Sequence, residues 1–128
     1  MSYYFNKEIS APFNEVIERV MAALKQHGFG VLTDIDVRKT LKEKIGEEFR
    51  DYRILGACNP PLAHRALTAE DKVGTMLPCN VIVQDLGAGK VEVAAIDPRA
   101  AMQQIGNPEL AKIASEVAQK LEAVIAAV

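Results

Sequence analysis

The sequence predicts an α+β domain: a roughly five-stranded, largely antiparallel sheet with helices packed on one face. Three observations predict it. Strand-like and helix-like segments are interspersed along the chain, the connector Gly87-Ala88-Gly89 is short enough for a true hairpin, and the apolar residues near the C-terminus recur at helical spacing. At 128 residues the chain fits one domain, residues 1–128. With 49% apolar and 25% charged residues it has the balance of a chain that folds around its own core.

The elements follow in order. Residues 3–9 alternate and carry aromatic side chains, which predicts a first strand. Ser10 is expected to cap a helix whose apolar positions Phe13, Val16, Ile17, Val20, Met21 and Leu24 fall at three- and four-residue steps, with Gly28 ending it. In residues 29–37, Val31, Ile35 and Val37 alternate with Leu32, Asp34 and Asp36, so a second strand is expected to hold its carboxylates outward. Residues 39–45 suit a short helix ending at Gly46, and residues 52–57 a third strand with Cys58 at its end.

Pro60-Pro61 stops that strand. Asn59 is a natural cap, and Pro61 suits the first turn of a helix running through Leu62, His64 and Leu67. Residues 81–86 and 91–96 are apolar and β-branched and form the two arms of the hairpin. Asp97-Pro98 opens a short helical stretch that Gly106-Asn107-Pro108 breaks. Leu110, Ile113, Ala114, Val117, Leu121, Val124 and Ile125 then trace one stripe of a long final helix, whose outer face carries Lys112, Glu116, Lys120 and Glu122.

A net charge of −2 and a pI near 5.7 give no general attraction to phosphate backbones or anionic lipid. The basic run Arg38, Lys39, Lys42, Lys44 is interrupted by Glu43 and followed by Glu47 and Glu48, the pattern of a mixed solvated helix face. No nucleic-acid or membrane partner is therefore expected. The first residues lack a basic stretch leading into an apolar one, and no segment approaches the about 18–20 apolar residues of a membrane span, so a cytoplasmic protein is expected. In that compartment two cysteines are expected as free thiols, ligands or redox groups.

Chemistry concentrates in two look-alike segments, Cys58-Asn59-Pro60 and Pro78-Cys79-Asn80, each joined to a strand. Antiparallel pairing of those strands would bring the end of one beside the start of the next, with the connector containing His64, Met76 and Pro78 folded over that end. The candidate pocket residues are Cys58, Asn59, His64, Met76, Cys79 and Asn80. One chemistry is a pocket for a small ligand, or a soft-metal site in which Cys58, Cys79 and His64 would hold zinc or cuprous copper, although the spacing is unlike a zinc finger. A second is a thiol-dependent redox enzyme in which Cys58 attacks and Cys79 resolves, without the usual Cys-x-x-Cys signature. The bland alternative makes both cysteines small buried apolar residues, Met76 a core filler and His64 a surface residue. Asp34 and Asp36 lack an acid-base partner, and Gly87-Ala88-Gly89-Lys90 lacks the ending of a phosphate-binding loop.

The run Tyr52-Arg53-Ile54-Leu55-Gly56-Ala57-Cys58-Asn59-Pro60-Pro61-Leu62-Ala63, followed by Leu77-Pro78-Cys79-Asn80-Val81-Ile82-Val83, resembles the family called domain of unknown function 302, known structurally as TT1751-like proteins. The resemblance spans nearly the whole chain and includes Gly-Phe-Gly-Val-Leu-Thr at 28–33. It implies a compact α/β layer fold and makes a homodimer the expected assembly. It carries no activity, cofactor or catalytic residue, so the expected function is a small non-enzymatic binding domain. The thiol enzyme and a homodimeric assembly module, built on the final helix or the outer sheet face, are the alternatives.

Overall fold

The computed structural model describes residues 2–128. The strands are β1 (Tyr4–Ser10), β2 (Gly30–Asp36), β3 (Tyr52–Cys58), β4 (Cys79–Gly87) and β5 (Lys90–Ile96). The helices are α1 (Phe13–Gln26), α2 (Val37–Ile45), α3 (Pro60–Ala69), α4 (Pro98–Met102) and α5 (Pro108–Ala127). Two 3₁₀ segments, Asp71–Met76 and Gln103–Ile105, follow α3 and α4. The sheet order is β1-β5-β4-β3-β2, and every neighbouring pair is antiparallel. The α+β architecture read from the sequence is the one observed.

Register decides which side chains form the core, because residues directly opposite each other in an antiparallel pair share a face. Ile9 lies across from Val91, Val93 from Val83, Ala95 from Val81, Leu55 from Val81 and Ala57 from Cys79. All of these are buried. Helix α1 joins the two edge strands, so it must cross this face, and Val16, Val20 and Leu24 on its inner stripe are fully buried. The opposite face of the sheet carries Tyr4, Ile35, Ile54, Ile82 and Ala94, none of which is fully buried, so among the described residues this face is left largely uncovered.

Helix α5 serves two separate cores. Its second half places Leu121, Val124 and Ile125 against α1 and the sheet. Its first half packs Leu110, Ile113 and Ala114 against Leu62 and Ala66 of α3, Val73 of the first 3₁₀ segment and Met102 of α4. Asn107 sets this second core. Its Oδ1 accepts from the amides of Glu109 and Leu110 to cap α5, while its Nδ2 donates to the Ala69 carbonyl at 2.9 Å and ties down the end of α3. At the other end Lys7 Nζ donates to the backbone oxygens of Ala126 and Val128, fixing the last turn of α5 over β1.

Three local expectations change. Ser10 ends β1 and Pro12 stands at the N-cap of α1 with no side-chain cap, since proline supplies the required φ without one. Val37 begins α2 rather than ending β2, because Asp36 Oδ1 accepts from the Lys39 amide at 3.0 Å and stops the strand. The alternation in β2 is reversed by a bulge between Val31 and Thr33. Beyond it Ile35 faces the uncovered side, while Asp34 turns toward the helix side and receives Arg53 in a bidentate pair at 2.8 and 2.9 Å.

The β4–β5 hairpin closes through Ala88 and Gly89, both at positive φ, +56° and +77°. Glycine takes that conformation freely and alanine does not. Ala88→Asn, which suits the first position of this turn, is expected to raise the unfolding free energy by about 0.5–1 kcal/mol. Urea titration at constant m-value measures it, and an unchanged or lowered midpoint would contradict the assignment.

Candidate functional site

The two cores do not meet everywhere. Between them, at the end of the sheet where β3 finishes and β4 begins, lies a cavity of about 280 Å³. Phe29, Ala57 and Cys79 of the sheet core form one wall, and Leu62, Ala66, Met102, Ile113 and Ala114 of the second core form the other. Leu77 and Val117 pack against both clusters and bridge them. Leu32 and Leu67, which also line the cavity, are 67% and 43% exposed and so mark its mouth.

Three backbone features shape this end. Gly56 leaves no room for a side chain, because a Cβ there would stand 2.2 Å from Thr33 Oγ1 and 2.7 Å from Pro78 Cγ. The bulged β2 and the Leu77-Pro78 turn therefore close over β3. Gly28, at φ +83°, ends α1 and lets the Asn59 amide lie against it, 3.1 Å from where a Cβ would be. Asn59 in turn caps α3, its Oδ1 accepting from the Leu62 amide at 3.2 Å. Pro60 and Pro61 fill the first turn of α3, where a missing N–H costs nothing.

Asp97 positions the last wall. It caps α4, whose Pro98 and Met102 line the cavity, and it binds Arg99 through both oxygens at 3.0 Å. The Arg99 guanidinium holds the Asp97 carboxyl below the usual carboxylate range.

Cys58, Asn59 and Cys79 line the cavity, and both cysteines are free thiols. Strict alternation assigns Cys58 to the face opposite Cys79, since Ala57 is the residue across from Cys79. Cys58 nonetheless lines the same space, because it is the last residue of its strand and the cavity reaches round the strand end. Cys79 is buried and Cys58 half-buried.

His64, Met76 and Asn80 lie elsewhere. On α3, Leu62 and Ala66 point inward four residues apart; His64, two residues from each, projects to solvent. Met76 is 41% exposed at the end of its 3₁₀ segment and fills no core. Asn80 alternates away from Cys79 and borders a depression on the uncovered sheet face with Tyr52 and Ile82. His64 therefore does not join the two cysteines. Among the described residues no group of three His, Cys, Asp or Glu side chains is placed to hold a metal ion.

Most of the lining was not singled out by sequence reasoning. Leu62, Ala63 and Ala66 follow Asn59 with small residues on the inner side of a short helix, which was the available sign that this helix leaves space beneath it. Ile113, Ala114 and Val117 were legible only as part of a core stripe.

Burial pushes the Cys79 thiol up to about 11, with the neighbouring Cys58 adding to the shift. Cys79 is thus a neutral thiol at physiological pH. Asn59, with its Oδ1 committed to the cap, keeps an Nδ2 for which no acceptor is found among the described residues. Thiols and this one amide are the polar side-chain groups on an otherwise apolar wall. No helix among the described residues is long and apolar enough to cross a membrane.

Residues 5–128 match the family model described as "Domain of unknown function DUF302". Among solved structures the chain is similar to one described as "Crystal structure of uncharacterized conserved protein DUF302 from Bacillus stearothermophilus". The identity is 32%, 98% of each chain is covered, and the TM-score is 0.91. No curated protein matches the chain.

The raised Cys79 value has a stability consequence with a definite sign. An unfolded chain ionises this thiol near its ordinary value of 9.0, whereas the folded one holds the proton to about 11. The contribution is fully present below pH 9 and is lost as pH rises toward 11, about 2–3 kcal/mol in all. The difference in unfolding free energy between the wild type and Cys79→Ala, followed from pH 8 to 11, is expected to shrink by that order. A difference independent of pH would contradict a buried, neutral Cys79.

Proposed function

The chain belongs to the DUF302 family, a domain of unknown function, and from that premise we propose that it is a small binding domain whose cavity takes up an apolar molecule. One observation carries this reading. Two well-packed cores leave between them a space of about 280 Å³ with a mouth at Leu32 and Leu67 and walls that are apolar almost throughout. Protein interiors close such gaps, because lining atoms that lack partners forfeit dispersion energy.

Size and polarity limit the ligand. An apolar cavity of about 150 Å³ accommodates benzene, so the present one suits roughly nine to twelve heavy atoms, an aromatic bicycle or a short branched chain. Among the described residues no charged side chain lines the cavity, which disfavours ions of either sign.

Indole, an aromatic bicycle within this size range, is a suitable probe. At a concentration of about ten times Kd it is expected to stabilise the fold by about 1.4 kcal/mol, a rise of several degrees in Tm. Ala63→Leu, which puts a larger side chain into the half-buried lining of α3, should abolish the rise while leaving the Tm of the free protein equal or higher. An equal shift in wild type and Ala63→Leu, or no shift in the wild type with any bicyclic probe, would refute the reading.

A further inference from the structure

If the cavity is an apolar ligand site, the two thiols on its wall give that site a reaction of its own. The register sets Ala57 directly across from Cys79, and Cys58 is the next residue along the strand. Both thiols are free and both line the same space. Among the described residues no carboxylate, imidazole or cationic side chain lines it with them. A centre bound between them would therefore have two sulfur ligands and no counter-charge.

These conditions select among thiophilic centres. A structural zinc ion takes four protein ligands, and among the described residues no third His, Cys, Asp or Glu joins the pair. Cuprous copper held by two thiolates carries a net negative charge, which an apolar wall without a cation opposes. Trivalent arsenic bearing one carbon substituent takes two thiolates and is neutral, and its substituent would occupy the cavity.

We propose that Cys58 and Cys79 together capture a trivalent organoarsenical, R–As(OH)₂, with R seated in the apolar cavity. Two As–O bonds break and two As–S bonds form. Each thiol proton leaves with a hydroxide as water, giving R–As(Sγ)₂ and two water molecules. Arsenic remains trivalent and both sulfurs remain at the thiol level, so no oxidant or reductant takes part. The thiols enter protonated, which is the form that burial imposes on Cys79.

The test uses the full chain and phenylarsine oxide, which hydrates to the dihydroxy form. Native mass spectrometry is expected to show one phenylarsenic group per chain with two hydrogens lost, reversed by excess 2,3-dimercaptopropanol. Cys58→Ala and Cys79→Ala should each weaken retention by about 100-fold or more, the effect of losing one arm of a two-point attachment. Cys58→Ala alters a half-buried side chain and keeps the test valid if Cys79→Ala fails to fold. No adduct on the wild type, or an equally tight adduct on Cys58→Ala, overturns the proposal. Indole melting shifts on the same variants separate the two readings. Indole binding without arsenical capture removes the dithiol site alone, and capture without indole binding removes the apolar-ligand reading and overturns the seating of R in the cavity.

Discussion

Helix α5 packs its first half against α3, α4 and a 3₁₀ segment and its second half against α1 and the sheet, and the site depends on that division. At 1.5 Å per residue its 20 residues span about 30 Å, longer than a seven-residue strand can cover. The overhang needs a second core, and the segments on either side of it supply one. Two cores assembled from different segments need not close on each other. Leu77 and Val117 bridge them, and the remaining gap is the cavity.

The constraint also explains why glycine, asparagine and proline gather at this end of the sheet. The chain turns sharply out of β3 into α3 and back from the first 3₁₀ segment into β4. Gly56 admits Thr33 and Pro78 at a distance that excludes a Cβ, and Gly28 admits the Asn59 amide. Asn59 and Asn107 satisfy helix-start amides that would otherwise lack a partner. The polar side chains near the cavity are mostly committed to the fold, and so the wall they leave is apolar. In that setting a thiol is the most polar group that can be buried without a partner at small cost, which is where Cys79 sits.

Much of this was legible in the sequence. The helical stripe from Leu110 to Ile125, the glycine-closed hairpin and the Asn59 cap follow from spacing and local chemistry, which are short-range. That Cys58 and Cys79 would lie at one end of the sheet followed from antiparallel pairing. What was not legible depends on long-range registration. A single bulge at Leu32 reverses the faces of Asp34 and Ile35, and alternation cannot announce it. His64 and Met76 looked like site residues because they are chemically distinctive and near in sequence, yet helix phase places His64 outside and Met76 ends its segment in solvent. The stripe on α5 reads as one apolar face, and nothing in its spacing reveals that it divides between two cores.

Uptake of an apolar molecule requires the space between those cores to be dry as well as apolar. Xenon settles in such cavities because it gains dispersion contacts without requiring hydrogen bonds. Crystals pressurised with xenon are predicted to show an atom between Ala66 of α3, Cys79 of β4 and Ala114 of α5. Ordered water filling that position, or xenon bound on the uncovered sheet face with none between the two cores, would contradict the account.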